Sequence, residues 1–192
     1  MKRKKIKGHL HVAEEEEVPG PSIFPIMLIS RKWRNFLTAY EYEVMIARAL
    51  NHCVFEHGMV IRGYAIMDAK IYLVLQIEKD LVKAMMTIFF VNMEMYLLKH
   101  FAALARKGVP FLPASDILGT RLLAEDLFEE YRFDDDLFIK LLTGEKIEEI
   151  FCDERMEKLE KRLKKNNFCS LIDISGASGP VKIDLPAGKL HS

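Results

Sequence analysis

Cysteine is scarce in this chain of 192 residues. Cys53, Cys152 and Cys169 are odd in number, far apart and without CxxC spacing, which excludes a disulfide framework and a zinc ribbon. Glycine (10) and proline (7) are also few, and half of the residues are apolar, so the chain has room for one medium domain with a real core plus tails. The longest run without a charged side chain, Val18 to Ser30, is 13 residues long and holds three prolines, too short and too broken to cross a bilayer. The basic MKRKKIK start is followed by GHLHVAEEEE, where a secretory signal would carry an apolar stretch, so a cytoplasmic location is expected. No internal repeat, glycine-rich phosphate loop, Ser-His-Asp arrangement or nucleotide fingerprint is visible.

Net charge is absent too, with 28 Lys+Arg against 28 Asp+Glu, but the charges are unevenly placed. Residues 22–121 carry 12 basic and 8 acidic groups, whereas residues 122–155 carry 4 and 12. A polyanion partner would therefore have to meet a local patch, because the whole domain supplies no basic field.

The apolar pattern defines elements. IFPIMLIS (23–30) predicts a strand, with Pro25 suggesting an edge or a bulge. Thr38-Ala-Tyr-Glu41 fits a capping box that starts a helix over about 39–57, stopped by a left-handed Gly58. MVIRGYAIM (59–67) and KIYLVLQI (70–77) predict two strands joined by the short turn Asp68-Ala69. Ile71, Leu73, Leu75 and Ile77 share one face of the second, and Lys70, Tyr72, Val74 and Gln76 share the other, where Lys70 and Tyr72 are expected to lie exposed side by side.

A long helix from about 80 to 106 is apolar around nearly its whole circumference. Leu81, Met85, Ile88, Asn92 and Met95 form one stripe beside Val82, Met86, Phe89, Met93 and Tyr96. One stripe can pack on a sheet, and the other needs the C-terminal region or a second copy of the chain. A fourth strand is expected near 115–122, helices are expected from Asp134, broken at Gly144, and over 156–167, and the last 25 residues are expected to stay mobile or form a weak hairpin. The expected organisation is an N-terminal tail (1–21), an α+β domain (22–122), a C-terminal helical extension (123–167) and a tail (168–192). The order is that of a ferredoxin-like split βαβ unit, β-α-β-β-α-β, with additional C-terminal helices.

Two strings carry a family resemblance. PIMLISRKWRNFL resembles the YHVMLR-like first strand and basic loop of the single-tyrosine transposases of small insertion sequences, including the REP-associated tyrosine transposases. The stretch from Tyr64 to Leu73 resembles that family's YxxMxNHVHLL strand pair. The resemblance spans residues 22–110 and implies the same fold, a dimer, hairpin or single-stranded DNA as partner, and a divalent metal such as Mg²⁺ or Mn²⁺ held by two histidines. It also implies a tyrosine that attacks the scissile phosphate.

The departures fall at the chemistry. Lys70 and Tyr72 stand where both metal-binding histidines would be, Ala69 replaces the preceding Asn, and Pro25 replaces a histidine of the first strand. A charged ammonium has no acceptor, so no metal cofactor is expected. Tyr131, 59 positions after Tyr72, is the weak candidate nucleophile; an alternative alignment puts that position near Glu145, leaving it vacant. Asp134, Asp135 and Asp136 are explained by a helix start. His9-Leu10-His11 reads as a metal-free tail, and His52 and His57 as surface or cap residues.

Candidate DNA contacts are Arg31, Lys32, Trp33, Arg34, Arg62 and Lys70, with Trp33 either stacking on an unpaired base or tucked into the core. The expectation is a transposase-like DNA-binding domain, catalytically inactive. Its alternative is a structural or protein-interaction module that kept the fold, which the near-neutral charge favours. There is no membrane partner in either.

Overall fold

The computed structural model describes residues 21–108, 126–147 and 154–185. It is a mixed α+β structure around one four-stranded antiparallel sheet. The strands are β1 (Ser22–Ser30), β2 (Ile61–Met67), β3 (Lys70–Ile77) and β4 (Phe128–Arg132), in the spatial order β2-β3-β1-β4. The helices are α1 (Ala39–His57), α2 (Val82–Arg106), α3 (Asp136–Thr143), α4 (Glu154–Lys164) and the short α5 (Leu171–Ile174).

Local chemistry accounts for the first half. Thr38 Oγ1 accepts from the Glu41 N–H, and the Glu41 carboxylate accepts from the Thr38 N–H at 2.9 Å, so the predicted capping box is present. Gly58 (φ 68°) closes α1 in the left-handed conformation. The β2–β3 turn places both Asp68 (φ 52°) and Ala69 (φ 59°) in that region, as a two-residue hairpin of this twist demands. Pro25 is tolerated because β4 pairs with β1 only from Ile26 onward, leaving Pro25 with β3 as its one paired neighbour.

The capping box gives a pH-dependent test. The two Thr38 hydrogen bonds favour ionised Glu41 and hold its carboxyl below the usual range. A depressed folded pKa contributes stability that is present above the unfolded value and lost as pH falls through the folded one. Thr38→Ala should therefore cost about 1 kcal/mol near neutral pH. Urea titrations should show a smaller gap from wild type at about pH 3.

One sheet face carries Ile71, Leu73, Leu75, Ile26 and Leu28, all buried under α1 and α2. The inner stripe of α2, Val82, Met86, Phe89 and Met93, is buried as the periodicity requires. Its back is only partly covered, with Val91 52% and Leu98 38% exposed. By length and composition alone, Lys79–Arg106 also qualifies as a candidate membrane span, with mean hydropathy 1.5 and 33% of its most apolar stretch buried. Counting charge-free runs misses this helix, because Glu94 interrupts it.

The opposite sheet face differs from expectation. The strip of Lys70 and Tyr72 is half-buried, not open. A second core of Ala65, Val74, Phe138, Leu142, Leu163 and Cys169 lies over β2 and β3, with Tyr72 and Met67 packed against it. Phe138 and Leu142 each contribute about 2 kcal/mol by leaving water.

Other corrections concern boundaries. The strand expected near 115–122 lies outside the described residues, and β4 falls at 128–132, inside the stretch read as helical. FEEYR has a spacing that suits either state, and pairing with β1 decides it. Of the stretch 168–192, expected to be mobile or a weak hairpin, residues 168–185 are described and run beside β2. Phe168–Ser170 runs along β2, with Ile66 N–H donating to Phe168 O and Ser170 N–H to Tyr64 O, both at 2.9 Å. Farther on, Asp184 N–H donates to Ile61 O. This strap occupies the edge of β2, which would otherwise offer unpaired backbone groups to another chain.

Candidate functional site

The positions implied by the resemblance lie on the second face of β3. Lys70 opens the strand, opposite Met67 and Ile29; Tyr72 lies opposite Ala65 and Met27. Side chains two residues apart share a face, so Lys70 and Tyr72 do so as expected. The Tyr72 ring meets Phe138 edge-on at 4.8 Å and Phe133 at 5.6 Å between centroids. Burial raises the Tyr72 hydroxyl above its ordinary pKa.

This donor set does not fit a divalent metal. Lys70 offers an ammonium with no lone pair, and Tyr72 offers a phenol that its surroundings hold protonated. Among the described residues there is no group of three or more His, Cys, Asp or Glu able to hold a metal ion. His9 and His11 lie outside the described residues. His52 and His57 sit near the end of α1 with ring centroids 5.7 Å apart.

Tyr131 falls in the same cross-strand row, since Met27 pairs with both Tyr72 and Tyr131. The two tyrosines are therefore two strand spacings apart, about 10 Å. Tyr131 is 45% exposed, and its hydroxyl donates to Glu129 Oε2 at 2.9 Å. That carboxylate raises the hydroxyl pKa, the reverse of what an activated nucleophile needs. Glu145 follows α3 and lines a shallow groove with Asp134 and Arg132. Asp135 caps α3 by accepting from Phe138 N–H at 3.1 Å and pairs with Arg155 at 3.2 Å, so the acidic run is spent on a helix start.

The basic candidates do not converge. Arg31 is engaged by Asp126 at 3.4 Å and Glu129 at 3.7 Å. Arg34 donates to Leu37 O at 2.8 Å and lies over the Tyr42 ring. Lys32 is exposed. Trp33 is only 4% exposed, its Nε1–H donates to Leu127 O, and Tyr42 and Phe128 flank it at 5.6 and 5.5 Å. Of its two sequence readings the core one holds, and the indole is not presented for stacking. Arg62 pairs with Asp184 at 3.0 Å and donates to Gln76 Oε1. Gln76 is six residues along β3 from Lys70, roughly 20 Å away.

Sequence reasoning missed the cations that do gather near Tyr72. Arg155, Lys158 and Arg162 of α4, with Tyr72, Phe133 and Phe138, line a groove of about 390 Å³. Their i, i+3, i+7 spacing was legible, but their direction depends on how α4 packs. Each already has a carboxylate partner, Asp135, Glu154 and Asp68 respectively. Comparison with known proteins finds no family model, no curated protein and no solved structure that matches this chain.

Proposed function

We propose that the chain is a catalytically inactive domain on the ferredoxin-like plan of the single-tyrosine transposases, acting in the cytoplasm as a structural or protein-interaction module. The element order and the strand order β2-β3-β1-β4 support the fold reading. One observation carries the functional part: Tyr72, at a former ligand position, is packed beneath Phe133 and Phe138 of the chain's own C-terminal segment. Fluorescence anisotropy with hairpin, single-stranded and duplex DNA tests it. Weak binding without preference for any of the three is expected, and hairpin-selective binding at about 10⁻⁸ M would overturn it.

Lys32, exposed beside Arg31, favours the second reading, residual DNA binding. In that case Arg31 and Lys32 supply phosphate contacts while Arg34 stays with Tyr42. The triple Arg31, Lys32 and Arg34 to Ala variant should then reduce the log–log salt slope by roughly two. An unchanged slope would rule the patch out.

Self-association is part of the module reading. The partly open back of α2, with Val91 and Leu98 exposed and Leu81 exposed just before the helix, is the surface that supports it. Light scattering at micromolar concentration should give twice the 22.2 kDa of one chain. A single-chain mass would reject the dimer.

A further inference from the structure

The helical layer carries a second concave surface, on the side of the sheet away from Tyr72. A groove of about 410 Å³ between α1 and α2 is lined by Tyr40, Glu41, Arg48, Tyr96, Lys99 and His100, among others. That volume lies within the range of small-molecule sites. Two of its cations, like Lys32 and Lys70 elsewhere, stand outside the ion pairs of the described surface. Arg31, Arg62, Arg155 and Arg162 each have a carboxylate partner. Arg48 and Lys99 are exposed, and neither has a carboxylate within ion-pair distance among the described residues. Lys99 Nζ instead sits 5.9 Å from the centre of the Tyr96 ring.

The acid in the groove is already committed. Glu41 Oε2 accepts from the Thr38 N–H at 2.9 Å and from its hydroxyl at 2.8 Å, and Oε1 lies 3.9 Å from His100 Nε2. Nε2 of His100 is buried and makes no hydrogen bond. A guanidinium fork and an ammonium thus border a concavity whose one carboxylate, Glu41, is engaged by Thr38 and faces His100, and together they form a donor pair suited to a phosphate. Beside them stands Tyr40, 69% exposed and eight residues from Arg48 on α1. Eight residues of helix span about 12 Å, a distance that a base, sugar and phosphate bridge and a lone phosphate does not.

We propose that this groove binds a nucleoside monophosphate, its phosphate held by Arg48 and Lys99 and its base laid against Tyr40. The site is independent of the Tyr72 face, so it stands whether or not that face is inactive.

Isothermal titration of the full chain with adenosine 5′-monophosphate, adenosine and inorganic phosphate tests it. Saturable binding of the monophosphate is expected, with adenosine and phosphate each weaker by about tenfold or more. Arg48→Ala and Lys99→Ala should each weaken the monophosphate by about tenfold with an unchanged circular dichroism spectrum, since both side chains are exposed. Tyr40→Ala should weaken the monophosphate and leave inorganic phosphate unaffected. No saturable heat at millimolar monophosphate, equal binding of monophosphate and inorganic phosphate, or indifference to Arg48→Ala would each overturn the assignment.

Discussion

Gly63→Ala is expected to destabilise the protein by about 3 kcal/mol, at the upper end of what one added methyl costs a packed interior. A Cβ at this position of β2 would lie 2.4 Å from the Leu142 carbonyl oxygen and 2.6 Å from its carbon. These are backbone atoms of α3, so no flexible side chain can yield; the helix itself must retreat from the sheet. The retreat loosens Phe138 from Tyr72 and disturbs Ser170, whose hydroxyl donates to Leu142 O and sits against Tyr64. For a chain of this size the melting temperature should fall by roughly 6–12 °C. A variant that melts with wild type would mean that α3 does not seat on β2.

Trp33→Ala is expected to cost about 3–5 kcal/mol, as loss of a large buried aromatic does. The indole packs between Tyr42 of α1 and Phe128 of β4, and its N–H satisfies the Leu127 carbonyl. It therefore ties the fourth strand to the helical layer, and the variant should lose β4 pairing first. Trp33→Phe should recover part of the loss, because it restores ring volume without the hydrogen bond. Chemical denaturation followed by far-UV circular dichroism measures both. Were Trp33→Ala as stable as wild type, the indole would have to be a surface group, and the stacking role considered for it would return.

These two positions mark where the sequence was legible and where it was not. From Thr38 to Ile77 the elements follow from local rules: a cap with its reciprocal carboxylate, a left-handed glycine and strict alternation, each acting over a few residues. The 3₁₀ turn Lys32–Phe36 defeated that logic, since RKWR reads as a basic loop while its fold turns Trp33 and Arg34 inward and pairs Arg31 with acids some 95 residues on. Tyr72 was placed on the correct face by alternation. What covers it, Phe133, Phe138 and the second core around them, comes from the C-terminal half, whose docking no short-range pattern encodes. Phe168–Ser170 also has no strand signature of its own, and its hydrogen bonds go to the backbone of β2. Likewise Arg48 and His100 stand on different helices, and only the packing of α1 on α2 reveals their shared groove.

On the proposed function, the sheet face carrying Lys70 and Tyr72 performs no strand transfer. The most direct test is incubation of the chain with single-stranded and hairpin DNA in Mg²⁺ or Mn²⁺, followed by denaturing electrophoresis for a covalent protein–DNA species. None is expected, because Lys70 and Tyr72 are poor ligands for the metal and the Glu129 carboxylate raises the pKa of the Tyr131 hydroxyl, which donates to it. A covalent adduct that vanishes in Tyr131→Phe would contradict it.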